Sequence, residues 1–135
     1  MKNTGFTLIE ITITMIIVVT VVTIALPKLN LIAEKMRAAE GEQFLYSILS
    51  AQKRYSIDNN GNYVGNIATL DIDLSKIPTN FQQPTVSIVT PLAQITRNNN
   101  SYTLFISDTG AIACNCNGAA CQTCQKMGYA YQAPP

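Results

Sequence analysis

The feature that most constrains this chain is an apolar run near its amino terminus. Residues 6–26 contain 15 apolar side chains in 21 positions, and Glu10 is the only charged residue among them. At about 1.5 Å per residue, a helix of this length spans roughly 30 Å, which matches the hydrocarbon core of a bilayer. Its Leu, Ile, Phe and Val side chains favour insertion by roughly 4 to 8 kcal/mol, against about 3 for one carboxylate. The run therefore predicts a membrane-spanning helix.

The composition excludes most catalytic designs. The chain has 135 residues, about one domain, and contains no histidine. Without histidine there are no Ser-His-Asp or Cys-His nucleophile systems and no His-ligated zinc. Charged residues make up 13% of the chain and the formal net charge is +1, so no overall field attracts nucleic acid. We expect a protein that is not an enzyme, with no cofactor and no nucleic-acid partner.

The apolar run has three interpretations. A cleaved secretory signal needs a clearly basic start, no acid near the head of the apolar region and a small-x-small cleavage site. Here Glu10 lies near that head, and the run ends as Ile-Ala-Leu-Pro at residues 24–27. A plain single-pass anchor explains everything except Glu10. Because a carboxylate in an apolar helix is costly unless it is paired, the third interpretation makes Glu10 a functional residue.

The residues around Glu10 carry a family resemblance. A polar leader with one lysine, Met-Lys-Asn-Thr-Gly at residues 1–5, is followed directly by Phe6, and Glu10 comes four residues later. This arrangement resembles the class III signal of type IV pilins and of type II secretion pseudopilins. The resemblance implies that a prepilin peptidase cleaves between Gly5 and Phe6 and methylates the new amino-terminal Phe6. The apolar helix would then be kept rather than discarded.

The same resemblance implies assembly roles for Glu10 and Pro27. Cleavage would create an amine at Phe6, about one helical turn from Glu10. In the family the partner is usually the amine of a neighbouring subunit, so the pair would set the axial register of bundled helices. Pro27 ends the run and is expected to kink the helix, as in many pilins, because proline removes a backbone hydrogen bond. The glycine that many pilins have midway along this segment is absent here.

Beyond Pro27 the pattern predicts an amphipathic continuation of the helix to about Ser56. One face of this helix recurs at helical spacing. This stripe comprises the apolar residues Leu29, Ile32, Ala33, Met36, Leu45, Ile48 and Leu49, and ends at the polar Gln52. A charged group with both signs lies between the two apolar portions: Glu34, Lys35, Arg37, Glu40 and Glu42. Their mixed signs at three- and four-residue spacing allow local ion pairs along the helix. The group is interpreted either as a solvated face or as a site of pairing between subunits. The sequence Asp-Asn-Asn-Gly-Asn at residues 58–62 predicts the end of the helix.

The carboxy-terminal part is expected to form a small antiparallel sheet. Residues 63–83 are predicted to be loop with one helical turn, and strands are predicted at 85–89, 101–107 and 111–114, with a hairpin turn at 108–110. The apolar face of such a sheet needs a cover, which the stripe around Leu45, Ile48 and Tyr55 can supply.

The predicted fold is therefore α+β, with a long helix packed by its second half on the sheet, as in pilins. We expect a leader at 1–5, an apolar helix at 6–27, its continuation at 28–57 and a head at 58–135.

Four cysteines lie close together in the head. They are Cys114, Cys116, Cys121 and Cys124. Four thiolates at this spacing could bind zinc or an iron–sulfur cluster, and a C-x-x-C pair could be redox-active. Two disulfides are favoured outside the cytoplasm, where small domains use them to support thin cores. A bond between residues 114 and 116 strains disulfide geometry, so the pairings 114–124 with 116–121, and 114–121 with 116–124, both remain open.

Together these features predict a structural subunit of a type IV pilus. The resemblance implies storage in the inner membrane, with the amino terminus cytoplasmic and the head periplasmic, followed by polymerisation into an extracellular homo-oligomeric filament by the pilus assembly machinery. One alternative is a type II secretion pseudopilin or a minor pilin. Major pseudopilins often carry a calcium site of clustered acids, whereas the aspartates of this head are dispersed in sequence. The other alternative is a membrane-tethered module that uses the four cysteines for metal or redox chemistry.

Overall fold

A computed structural model of the chain describes residues 5–116 and 122–131. Within these ranges the elements are, in chain order, helix α1 (Leu8–Asp58), two 3-10 turns (Ile67–Thr69 and Leu74–Lys76), strands β1 (Thr85–Val86), β2 (Ala93–Thr96), β3 (Tyr102–Ile106) and β4 (Ile112–Cys116), helix α2 (Gln122–Met127) and strand β5 (Ala130–Tyr131). The predicted α+β class is confirmed. The chain divides into two compact units, Met1–Ala33 and Glu34–Pro135, which we call the apolar unit and the head unit.

Helix α1 begins and ends at local signals. The Glu10 N–H donates to both the carbonyl and the hydroxyl of Thr7, at 3.1 and 3.3 Å, so Thr7 caps the helix and delays its start by two residues from the expected Phe6. At the other end Asn60 and Gly61 have positive φ angles of 57° and 84°. The Gly61 N–H donates to the Ser56 carbonyl at 2.7 Å, a common way of closing a helix. The predicted helix end is confirmed.

The two portions of the predicted apolar stripe differ in burial. Leu45 and Ile48 are fully buried in the head unit, whereas Leu29, Ile32 and Met36 are each more than half exposed. Helix α1 therefore packs in the core only from Ala38 onward, where the exposed fraction falls to 0%. Residue 27 lies inside α1, which is continuous, and the kink expected there stays a prediction.

The sheet has the order β1-β2-β3-β4-β5. The first three pairs are antiparallel, and β5 pairs in parallel with β4. Two of the predicted strands correspond to β3 and β4, while the strand expected at 85–89 is shorter. Strands β2 and β5 and helix α2 were not predicted from the sequence. The stretch from 63 to 83 contains two 3-10 turns, one more than expected, each capped by the side chain of Asn66 or Asp73.

The core lies between α1 and one face of the sheet. Its members with at most 1% exposure include Leu45, Ile48, Leu92, Ile95, Tyr102, Leu104 and Ile106. The hairpin turn at 108–110 is confirmed, since Gly110 has a φ of 87° and the Ser107 N–H donates to the Ala111 carbonyl at 3.0 Å. Phe105, which strand alternation assigns to the opposite sheet face, is also buried, with 4% exposure. One-sided burial of this strand was therefore too simple an expectation.

Candidate functional site

The apolar unit presents a continuous apolar surface. Every large apolar side chain from Phe6 to Leu26 is between 44% and 82% exposed. Helix α1 contains a stretch long and apolar enough to span a membrane, and none of that stretch is buried within the structure. A helix that is apolar on all sides is stable only in apolar surroundings. By length and composition, this unit is therefore the part of the molecule that could span a membrane.

The threonines of the apolar unit do not oppose burial. Four of them donate their hydroxyl hydrogen to the carbonyl three residues earlier, at 2.8 to 2.9 Å; they are Thr12, Thr14, Thr20 and Thr23. A hydroxyl that is hydrogen-bonded within its own helix avoids most of the cost of entering an apolar medium. Glu10 is the one charged side chain of this run, and its burial is expensive.

The predicted processing residues lie at the start of α1. Gly5 and Phe6 precede the helix and are exposed, and Glu10 lies in its first turn, also exposed. A carboxylate in the first turn is favoured by the helix dipole. A Cβ atom added at Gly5 would meet nothing within 4 Å, and Gly5 is not among the residues with positive φ. Neither packing nor backbone geometry thus requires glycine at residue 5.

Glu34 joins α1 to the sheet through an ion-pair cluster. The Arg97 Nε donates to Glu34 Oε1 at 2.7 Å, and the Tyr102 hydroxyl donates to the same oxygen at 3.0 Å. Arg37, on the next turn of α1, donates to Glu34 Oε2 at 2.9 Å. We call Glu34, Arg97 and Tyr102 the Glu34 cluster. The local ion pair that the spacing allows is present between Glu34 and Arg37. The contacts of Glu34 with Arg97 and Tyr102 were not foreseen by either the solvated-face or the intersubunit interpretation. Lys35 and Glu40 are exposed.

The protonation states of the Glu34 cluster are complementary. Burial of the Glu34 carboxyl opposes its ionisation, but hydrogen bonds from Arg97, Arg37 and Tyr102 outweigh this and lower its pKa. Burial raises the pKa of the Tyr102 hydroxyl, and the neighbouring Glu34 carboxylate raises it further. At neutral pH a carboxylate therefore accepts hydrogen bonds from a guanidinium and from a neutral phenol, which are the strong, charge-assisted kind.

Arg97 and Phe81 complete the surroundings of the cluster. Arg97 is 9% exposed, and its Nη1 donates to the Asn80 carbonyl at 2.6 Å. Its guanidinium lies 5.9 Å from the centroid of the Phe81 ring, and that ring meets Tyr102 edge-on at 6.2 Å. A Cβ atom at Gly41 would lie 2.8 Å from the Phe81 Cζ. Gly41 therefore lets α1 approach this aromatic ring closely.

Sequence reasoning missed the Glu34 cluster because its partners are remote. Arg97 and Tyr102 are 63 and 68 residues from Glu34, and Arg97 follows β2, a strand that was not predicted. One signal was visible in the sequence. Glu34 lies seven residues before Gly41 and eleven before Leu45, a spacing that brings all three to one helix face. A carboxylate on a buried face requires a partner.

The cysteines are partly accounted for. Cys114 and Cys124 form a disulfide that links β4 to α2, and both are fully buried. This pairing excludes the crossed alternative, 114–121 with 116–124. Cys116 is buried, with its Sγ 2.9 Å from that of Cys124. Cys121 lies outside the described residues, so a 116–121 bond stays a prediction.

The disulfide bears on the metal alternative. Because the bond uses two of the four thiols, Cys114 and Cys124 cannot act as thiolate ligands while it is formed. Among residues 5–116 and 122–131, no group of three or more His, Cys, Asp or Glu side chains is placed to hold a metal ion.

Comparisons of the chain with protein-family models, with curated proteins and with solved structures found no match. Two features of the chain bear on its function. One is the motif at residues 5–10 leading into an exposed apolar helix. The other is an α+β head held on the second half of that same helix.

Proposed function

We propose that this chain is a structural subunit of a type IV pilus. It is stored in the inner membrane by its apolar unit and polymerises through that unit after cleavage at Gly5. The observation that carries the proposal is the juxtaposition of Gly5, Phe6 and Glu10 with an apolar helix whose side chains are all exposed. A plain membrane anchor requires the apolar side chains but gives no reason for the other three residues.

One apolar surface serves two environments in turn. In the membrane it contacts lipid, and in the filament the same side chains contact the helices of neighbouring subunits. Because lipid and helix surfaces are similarly apolar, the exchange provides little driving force by itself. Extraction from the bilayer must therefore be driven by an external motor, which the pilin resemblance supplies as a cytoplasmic assembly ATPase.

Glu10 gives the bundled helices their register. An unpaired carboxylate costs about 3 kcal/mol at the centre of an apolar segment, whereas a nearby amine offsets that cost only when the two chains are correctly aligned. The exposure of Glu10 in the first turn of α1 leaves it accessible to the amino-terminal amine of a second subunit. The pair therefore penalises misaligned packing more than it strengthens correct packing, as buried polar pairs do in coiled coils.

The head supports an extracytoplasmic location. Disulfides persist in the periplasm and at cell surfaces and are rare in the cytosol, and the Cys114–Cys124 bond is fully buried in the core. A head that is both disulfide-bonded and packed on α1 can stay folded while the apolar unit changes its surroundings. This is the behaviour that a filament subunit needs.

The cleavage step is tested by substituting Gly5. Gly5→Ala adds one methyl group at a place where it meets nothing, so any effect reflects recognition by the peptidase rather than folding. In cells that express a prepilin peptidase and a pilus assembly system, we expect the variant to keep residues 1–5 and to remain in the membrane. The unsubstituted chain should begin at N-methylated Phe6 and appear in sheared filaments. Thr4→Ala is the matched control and should be processed normally. Mass spectrometry showing the same amino terminus for the Gly5 variant and the unsubstituted chain would refute the proposal.

The assembly step is tested separately with Glu10. Glu10→Ala and its isostere Glu10→Gln should both be cleaved, methylated and inserted, yet be strongly depleted from sheared filaments because the charge pair is lost. Filament yields equal to those of the unsubstituted chain would remove Glu10 from the assembly mechanism.

The same filament preparation separates the alternatives. A pilus subunit is expected to be the main component by mass spectrometry, whereas a minor pilin would be a trace component. A pseudopilin would be recovered only with its secretion system. Metal content and free-thiol counts of the purified chain test the remaining alternative, in which the cysteines form a metal or redox centre.

A further inference from the structure

The three residues before helix α1 lie outside it. Gly5, Phe6 and Thr7 have no regular secondary structure and are exposed. The first backbone hydrogen bonds of α1 are accepted by the Thr7 carbonyl, from the Glu10 and Ile11 N–H groups at 3.1 and 3.3 Å. In the part of the chain that the structure describes, no backbone hydrogen bond is accepted by the carbonyl of Gly5 or Phe6. The peptide bond between Gly5 and Phe6 is therefore exposed and is not used by the helix.

Thr7 sets this helix boundary. Its Oγ1 accepts a hydrogen bond from the Glu10 N–H at 3.3 Å, which is the bond that an N-cap threonine makes to the third residue of a helix. Apolar character does not set the boundary, because Phe6 belongs to the same apolar run as the residues that follow. In an apolar medium, unpaired backbone groups are costly and favour extension of the helix. The Thr7 cap opposes that extension by supplying the Glu10 N–H with a partner outside the helix.

Cleavage of a peptide bond requires access to its carbonyl. Water adds to the carbonyl carbon, the bond to nitrogen breaks and the nitrogen takes a proton, so Gly5 would end as a carboxylate and Phe6 as an amine. The carbonyl oxygen becomes negatively charged in the transition state and must meet hydrogen-bond donors of the enzyme. If α1 began one turn earlier, the Gly5 carbonyl would instead accept the Ile9 N–H. Exposed, non-helical segments are accordingly the preferred sites of proteolysis.

Resting on the function proposed above, we propose that Thr7 is a positioning residue for leader cleavage. Its cap holds the start of α1 at Leu8, so that the peptide bond between Gly5 and Phe6 stays extended and open to the peptidase. Thr7 acts through the backbone conformation of the residues before it rather than by contacting the reacting atoms. A capping side chain of another shape should therefore replace threonine, whereas an isostere that cannot cap should not.

Leader removal from the full chain in detergent micelles, by a purified prepilin peptidase, tests the proposal. Thr7→Val keeps the branched shape of threonine and removes the capping oxygen, whereas Thr7→Ser and Thr7→Asn keep a capping side chain of different shape. Losing a cap shifts the helix boundary by a factor of about 5. Because only the extended form binds, we expect Thr7→Val to raise KM by as much as about 5-fold with kcat unchanged. Thr7→Ser and Thr7→Asn should retain the KM of the unsubstituted chain.

A second readout separates backbone conformation from direct recognition of the threonine. The carbon-13 chemical shifts of Gly5 and Phe6 distinguish helical from extended backbone, and among the Thr7 variants they should move toward helical values only in Thr7→Val. Thr12→Val is the matched control, because the Thr12 hydroxyl donates within α1, to the Ile9 carbonyl at 2.8 Å. It should leave both the KM and the chemical shifts unchanged.

The proposal is overturned if Thr7→Val is cleaved with an unchanged KM. It is also overturned if Thr7→Ser and Thr7→Asn raise the KM as much as Thr7→Val, because the peptidase would then read the threonine itself. A higher KM for Thr7→Val without helical chemical shifts at Gly5 and Phe6 has the same consequence. In these cases cleavage after Gly5 still occurs and the proposed function stands. Failure of the peptidase to cut the unsubstituted chain after Gly5 would instead remove the proposed function and this role of Thr7 together.

Discussion

Replacing Gly41 with alanine sets two opposing effects against each other. Alanine favours helix over glycine by about 1 kcal/mol in a helix interior. At this position, however, the new Cβ would lie 2.8 Å from the Phe81 Cζ and within 3.2 Å of both Cε atoms. Phe81 is 5% exposed and its ring contacts both Arg97 and Tyr102, so the ring has little room to retreat.

The clash is expected to exceed the gain in helix propensity. Inserting a methyl group into a well-packed core costs about 1 to 3 kcal/mol. Gly41→Ala should therefore lose about 1 kcal/mol of stability, which lowers the Tm of a domain of about 100 residues by roughly 4 to 8 °C. Thermal unfolding of the full chain in detergent micelles, followed by near-ultraviolet circular dichroism of the tyrosines, measures this.

Two comparisons isolate the cause. Ala39 is exposed on the same helix, so Ala39→Gly measures the propensity effect alone and should cost about 1 kcal/mol. Phe81→Leu replaces the ring that meets the new Cβ with a shorter side chain. In that background, Gly41→Ala should no longer destabilise the head and should be neutral or stabilising. The coupling between the two substitutions is expected to be about 1 to 2 kcal/mol. A higher Tm for Gly41→Ala alone, or no coupling to Phe81→Leu, would refute the close-approach argument.

Two other features of the head make separate predictions. Gln52 is fully buried and its side chain exchanges hydrogen bonds with the Val64 N–H and carbonyl at 3.0 and 2.7 Å, so Gln52→Leu should cost about 1 to 3 kcal/mol in thermal unfolding. Gln52→Glu keeps the oxygen that accepts from the Val64 N–H but loses the N–H that donates to the Val64 carbonyl, so it should also lower the Tm. A Tm equal to that of the unsubstituted chain would contradict this account. The folded-state pKa of Tyr102 is raised above its ordinary value of about 10. The unfolded chain therefore ionises first, and the stability present below pH 10 is lost as the pH rises further. Tyr102→Phe should reduce this loss of stability at high pH only in part, because the pKa of Tyr129 is raised as well, by burial and by Glu42. If stability falls with pH as steeply in the variant as in the unsubstituted chain, the role given to Tyr102 is contradicted.

Local signals explain what could be predicted about the fold. The apolar run, the helix end at Asn60 and Gly61 and the hairpin at Gly110 each depend on residues within a few positions of one another. Positive φ angles favour glycine and asparagine regardless of the rest of the chain, and these three residues have them. The capping role of Thr7 was equally readable, because Thr7 and Glu10 have the spacing of a capping box.

Short elements could not be predicted, because they depend on their neighbours. Strand β2 has four residues, β5 has two and α2 has six, and none is long enough to be stable alone. Strand β2 exists because it pairs with β1 and β3. Helix α2 is tied to β4 by the Cys114–Cys124 bond.

By itself the sequence determined which stretch is long and apolar enough to span a membrane and where the long helix ends. Hydrophobicity and backbone preference depend on residue type and local spacing. Only the tertiary structure decided which groups hold the head on that helix. Glu34 meets Arg97 across 63 residues, Gly41 meets Phe81, and Cys114 bonds Cys124 rather than Cys121. Each of these choices depends on sheet register and on the close packing of α1 against the sheet, which arise only when the whole head has folded.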